Sequence, residues 1–169
     1  ATEAAALTDT PVYIRLAREK TPVMTTSQTP FEIGQAQIMW TPSVHKKPEV
    51  GIIATGALVY QALLAAKELS EKGTEVEVMN LSTIKPLDSQ AILSLAKKTG
   101  RIVTVEEHQK NGGMGSAVAE CLAENYPVPI EFIGINDQFG QSGKQEELLK
   151  HYMLDKEAIV KAVKKILKR

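Results

Sequence analysis

IVTVEEHQKNGGMGSAVAECL, residues 102–122, passes from a β-branched run into charged and imidazole side chains, then glycines, then small apolar residues. Ile102–Val105 reads as a buried strand, and Glu106-Glu107-His108 as its acidic tip. Gly112, Gly113 and Gly115 supply a turn, and Ser116–Asn125 reads as a helix. A strand that runs through glycines into a helix is the building unit of open α/β sheets, whose sites lie at strand ends.

Working outward, Val50, Val76, Ile102 and Val128 follow one another at intervals of 26 residues. Val50–Ala54 is an apolar run that leads through Thr55-Gly56 into a helix ending near Lys72. Leu58, Ala62, Ala65 and Leu69 share one face of that helix, and Lys72-Gly73 stops it. Val76–Met79 is the next strand, and Asp88 or Ser89 caps a helix that runs to Lys98. Ile130–Ile133 is the fourth strand of the series. β-then-α units of constant length signal parallel strands joined by helical crossovers. Their apolar, β-branched strands suit a sheet covered on both faces. The expected fold is therefore a three-layer α/β/α domain, with a mostly parallel sheet of about five strands and room for one antiparallel edge strand.

The flanks are less regular. Ala1–Leu7 reads as the end of an alanine-rich helix, cut midway and without an initiator Met, so a piece of a longer chain is expected. Val12–Leu16 alternates and is β-rich, which predicts a strand, and Thr21–Pro30 is polar and proline-bounded, which predicts a linker. Ala36–Met39 predicts a short strand and Ser43–Pro48 a turn. Beyond the polar loop Ile135–Gly143, short and long helices are predicted over Lys144–Tyr152 and from Asp155 to about Leu167. The basic end of the last helix (Lys161, Lys164, Lys165, Lys168, Arg169) suits its C-terminal dipole.

Composition narrows the function. Lys+Arg and Asp+Glu both number 20 in 169 residues, which argues against nucleic-acid or membrane-surface binding. A single cysteine, Cys121, forms no internal disulfide and fits a reducing compartment, so a cytoplasmic location is expected. There is neither a phosphate loop nor a G-x-G-x-x-G fingerprint, and His45, His108 and His151 lack ligand spacing. Neither a catalytic residue nor a metal site follows from the residues.

Four places remain as candidates. Glu106, Glu107 and His108 put carboxylates beside an imidazole, a pairing that can tune a base near neutral pH. Charged strand tips are also common surface features. The amides of Asn111–Ser116 can bind an anion, or the glycines can let a helix pack tightly on the sheet; with no Lys or Arg within the motif, packing is favoured. Arg15 and Arg18 flank a predicted strand end, where an arginine can grip a phosphate. Asp137, Gln138, Phe139, Gln141 and Ser142 form a polar loop around one aromatic residue, suited to an interface or a ligand contact.

Six segments in order resemble one family: PVYIRLARE (Pro11–Glu19), IIATG (Ile52–Gly56), KPLD (Lys85–Asp88), VEEH (Val105–His108), GGxGSAV (Gly112–Val118) and DQFGQSGKQEELL (Asp137–Leu149). Together they resemble the C-terminal end of the transketolase family, which includes deoxyxylulose phosphate synthases and the beta subunits of 2-oxoacid dehydrogenases. The resemblance implies residues 1–26 as a remnant of a pyrimidine-binding domain, 27–35 as a linker and 36–169 as a transketolase C-terminal-like domain. It implies a two-carbon ketol transferase that uses thiamine diphosphate and a divalent metal in the complete enzyme, with neither held by this chain alone. The family's Gly-Asp-Gly metal motif and the pyrimidine-domain glutamate have no counterpart here, so the isolated chain is expected to be inactive. Arg18 matches a substrate-phosphate arginine of transketolase-like members. Glu106, Glu107, His108 and Phe139 are expected to face a neighbouring domain or subunit. The implied partners are the cofactor-binding part of the same enzyme and further copies in a homo-oligomer. The Ser43–Pro48 segment departs from the family's shorter, glycine-bearing turn. The competing readings are a separate assembly subunit, a beta-subunit-like module of a 2-oxoacid dehydrogenase or deoxyxylulose phosphate synthase, and a small nucleotide-binding domain.

Overall fold

The computed structural model describes residues 1–43 and 45–169. Five strands make one sheet: β1 Gln37–Trp40, β2 Val50–Ala54, β3 Val76–Asn80, β4 Ile102–Gln109 and β5 Ile130–Ile135. Their spatial order is β1-β3-β2-β4-β5, with β1 antiparallel to β3 and every other pair parallel. The mostly parallel α/β sheet and its antiparallel edge strand are as the sequence predicts. The helices are α1 Thr2–Ala6, α2 Leu58–Glu71, α3 Ser89–Thr99, α4 Met114–Asn125, α5 Gln145–His151 and α6 Lys156–Ile166.

Alternation along the strands sorts the core into two layers. Ile52, Val78, Val103 and Val105 face α2 and α6, while Ile53, Met79 and Ile102 face α3 and α4. All seven are essentially sealed from solvent, and burial of each such side chain is worth about 1.5–3 kcal/mol. Asp88 is the cap of α3: one carboxylate oxygen accepts from the Ala91 amide at 3.0 Å. Its other oxygen accepts from the Ala36 amide at 2.8 Å and so ties the approach to β1 onto α3.

Three expectations need correction. Val12–Leu16 forms no strand, since among the described residues it pairs with no other strand; Tyr13 and Leu16 stand exposed. The fourth parallel strand begins at Ile130 as expected, since Pro127 and Pro129 bracket Val128 and cannot donate to a ladder, but it runs on to Ile135. Glu106-Glu107-His108 is no tip: β4 continues to Gln109, and α4 begins at Met114, earlier than Ser116. Of the predicted Ser43–Pro48 turn, Val44 lies outside the described residues.

Candidate functional site

β2 and β4 are neighbours, yet the helices that follow them leave to opposite faces of the sheet. Open α/β sheets usually bind ligands in the crevice that such a divergence creates. Here the chain fills it with its own acid. Glu106 is 2% exposed, and its two carboxylate oxygens accept from the Met114 amide at 2.6 Å and the Gly115 amide at 2.8 Å. Those amides open α4, where the helix dipole favours negative charge. Thus both readings of the glycine turn hold in part: the helix N-terminus binds an anion, and the anion is Glu106.

The glycines are what let the acid in. A Cβ on Gly113 would stand 2.3 Å from a Glu106 carboxylate oxygen, and one on Gly115 would stand 2.7 Å from Thr104 Oγ1. Thr104 and Glu106 lie two apart on β4 and so face α4 together.

Past Glu106 the pairing of β4 with β5 becomes irregular. Val105 pairs with Ile133, but Gln109 pairs with Ile135, so four steps on one strand match two on the other. Extra residues of this kind re-aim side chains. They separate the charged cluster: Glu106 turns inward, Glu107 is half-buried and His108 is exposed. The pairing of carboxylate and imidazole that made this stretch a candidate base is therefore not assembled. His108 Nδ1 lies 3.0 Å from the Gln109 carbonyl oxygen.

The same strand end gathers two other segments. Arg15 donates to the Glu107 carbonyl oxygen at 3.3 Å, which lays the N-terminal segment against β4. Gln109 donates from its side-chain amide to the Gln138 carbonyl oxygen at 2.9 Å, which holds the loop after β5. Tyr152 holds that loop from the other side: its hydroxyl accepts from the Gln141 amide at 2.8 Å and donates to the Phe139 carbonyl oxygen at 3.3 Å. Phe139 itself is 98% exposed. Gln109 and Tyr152 were not among the residues singled out from sequence. An amide and a phenol carry no motif, and their role depends on a contact across 29 residues in one case and 13 in the other.

Arg18 is separate from this cluster. Its side chain is 95% exposed, and the Glu19 carboxylate lies 4.0 Å from its Nε. A cleft of about 480 Å³ between α2, α5 and α6 is lined by side chains that include Gln61, Glu71, Lys150 and Asp155. At its wall Glu68 is paired. Lys72, at 2.6 Å, and Lys156, at 2.9 Å, hydrogen-bond Glu68 and hold its carboxyl down at about 2. Among the described residues, no helix is long and apolar enough to cross a membrane.

Comparison with known proteins bears on what this arrangement belongs to. The family described as "Transketolase, C-terminal domain" matches residues 41–159. The 6-deoxy-6-sulfo-D-fructose transketolase subunit SqwH of Clostridium sp. (strain MSTE9) is 41% identical over 161 residues, or 95% of this chain and 48% of that protein. An apulose-4-phosphate transketolase subunit of Phocaeicola vulgatus is 41% identical over 160 residues, 94% of this chain and 49% of its own length. The transketolase of Mus musculus is 37% identical over 97% of this chain and 26% of its own. A solved structure described as "Split gene transketolase, inactive beta4 tetramer" superposes with a TM-score of 0.91 at 38% identity, covering 98% of this chain and 53% of that one. The chain thus spans about half the length of the two transketolase subunits it matches.

Proposed function

The chain belongs to the transketolase C-terminal domain family, and from that premise we propose that it is the C-terminal part of a thiamine diphosphate-dependent transketolase-type enzyme, not catalytic alone. The complete enzyme moves a two-carbon ketol unit between sugar phosphates, in the cytoplasm, as a homo-oligomer of assembled parts. The observation that carries this reading is likeness along nearly the whole chain to a split-gene transketolase at a TM-score of 0.91. Residues 1–26 are then the remnant of a pyrimidine-binding domain, 27–35 a linker and 36–169 the C-terminal domain. Exposed β-type residues at Val12, Tyr13 and Leu16 suit a strand whose sheet lies elsewhere in the enzyme.

The cofactor's diphosphate and metal do not fit the residues present. The α4 N-terminus, where a diphosphate would be expected, is filled by the Glu106 carboxylate. Among the described residues, no three His, Cys, Asp or Glu side chains stand together as metal ligands. The chemistry the cofactor supplies, stabilisation of a carbanion, therefore belongs to the remainder of the enzyme.

This chain's own contribution is a surface and an arginine. Arg18 is exposed and lightly held, so its guanidinium is free to grip a substrate phosphate with two parallel hydrogen bonds. Glu107, His108 and Phe139 lie on the contact surface toward the rest of the enzyme, with Glu106 shaping it from beneath. Calorimetric titration of the chain with NAD, ATP and thiamine diphosphate with magnesium tests the reading. No micromolar binding is expected with any of the three. Micromolar binding of a nucleotide would overturn it in favour of a nucleotide-binding domain.

A further inference from the structure

The loop after β5 combines two properties that seldom occur together. It is fixed in place, and it displays a large apolar side chain to water. The fixing comes from both sides: Gln109 on β4 holds the Gln138 carbonyl, and the Tyr152 hydroxyl bridges the Gln141 amide and the Phe139 carbonyl. Tyr152 is only 8% exposed, so its hydroxyl is delivered from a ring packed into the core against the α2 and α6 layer. Phe139 lies between these ties and has almost its entire side chain in solvent.

An aromatic ring held in one position loses little freedom on binding, and the apolar area it buries is retained as affinity. Rings of this kind are the residues that dominate protein interfaces. We propose that Phe139 is the anchor of the contact between this chain and the cofactor-carrying remainder of the enzyme, with Gln109 and Tyr152 as its positioning residues. The inference rests on the reading of this chain as one part of a larger enzyme. The partner follows from placement. Gln109 is two residues along β4 from Glu107, whose carbonyl receives Arg15 of the N-terminal segment. That segment carries Tyr13, 88% exposed, and a strand-type sequence that pairs with no strand among the described residues. The unpaired segment and Phe139 thus meet at one end of the sheet. The two subunit relatives are about twice as long as this chain, so a body of similar size remains to cover that end.

The test measures binding between this chain and the cofactor-carrying remainder of the enzyme, expressed as a separate polypeptide. Phe139→Ala is expected to raise Kd about 10- to 100-fold, the range for loss of a hot-spot side chain. Its thermal midpoint should equal that of the parent, because the ring touches nothing in the free chain. Tyr152→Phe keeps the buried ring and removes the hydroxyl; it should raise Kd by a smaller factor, and Phe139→Tyr should restore most of the affinity. An unchanged Kd for Phe139→Ala would overturn the inference and leave the proposed function standing. So would a change confined to self-association of this chain, which would give the ring to a second copy. Failure of the parent chain to bind the remainder at all would overturn both.

Discussion

Glu106 is a carboxylate that the fold spends on itself. Its oxygens take the two amides that open α4, and the absence of a Cβ at Gly113 and Gly115 is what admits it. Glu106→Gln would turn an NH2 group toward an amide donor, and denaturant unfolding should show a loss of about 1–3 kcal/mol. Gly115→Ala should lose a similar ~1–3 kcal/mol, because its Cβ would meet Thr104 and Phe132 at under 3 Å. Unchanged stability in both variants would mean that the acid does not secure α4. Arg18 is the opposite kind of residue: its side chain is 95% exposed, with a 4.0 Å approach to Glu19. In the assembled enzyme, Arg18→Ala should raise KM for a phosphorylated donor about tenfold or more, with kcat far less affected and an unphosphorylated donor insensitive. Equal effects on both donors would remove its role as a phosphate ligand.

At the scale of elements, α2 and α6 are joined across the sheet face by ions as well as by apolar packing. Glu68 accepts from Lys72 on its own helix side and from Lys156 at the start of α6, and its carboxyl is held from the ordinary 4.5 down to about 2. A carboxylate lowered on folding contributes stability that is complete above about pH 4.5 and lost as pH falls toward 2. The thermal midpoint of Glu68→Gln should therefore lie below the parent's at neutral pH, and the gap should close between pH 4.5 and 2. Added salt should narrow it too, since the pair is near the surface. A gap that does not change with pH would show that the ion pair contributes nothing. These elements were largely legible in advance. Runs such as Val50–Ala54 and stripes such as Leu58, Ala62, Ala65 and Leu69 carry their own periodicity, and Asp88 is a cap by residue type. Val12–Leu16 shows the limit: strand propensity is local, but a strand needs a pairing partner, and it has none among the described residues. The same limit hid the site. Two residues apart on a regular strand, Glu106 and His108 would share a face, but past the irregular β4–β5 pairing Glu106 is buried and His108 exposed.

At the scale of the whole molecule, the domain has a five-stranded sheet and two buried core layers, and yet one end of it displays exposed side chains. That end holds the N-terminal segment, the Arg15 contact, His108 and Phe139. The usual ligand crevice of the fold is stopped by Glu106, and the proposed function assigns the chemistry to the remainder of the enzyme. Family membership carries the same division, because the match covers the C-terminal domain and about half the length of the two transketolase subunits. The most direct measurement is ketol transfer from a ketose phosphate to an aldose phosphate, with thiamine diphosphate and magnesium present. It is run with this chain alone, with the remainder of the enzyme alone, and with the two mixed. Turnover in the mixture only is the predicted result; turnover by this chain alone would contradict it.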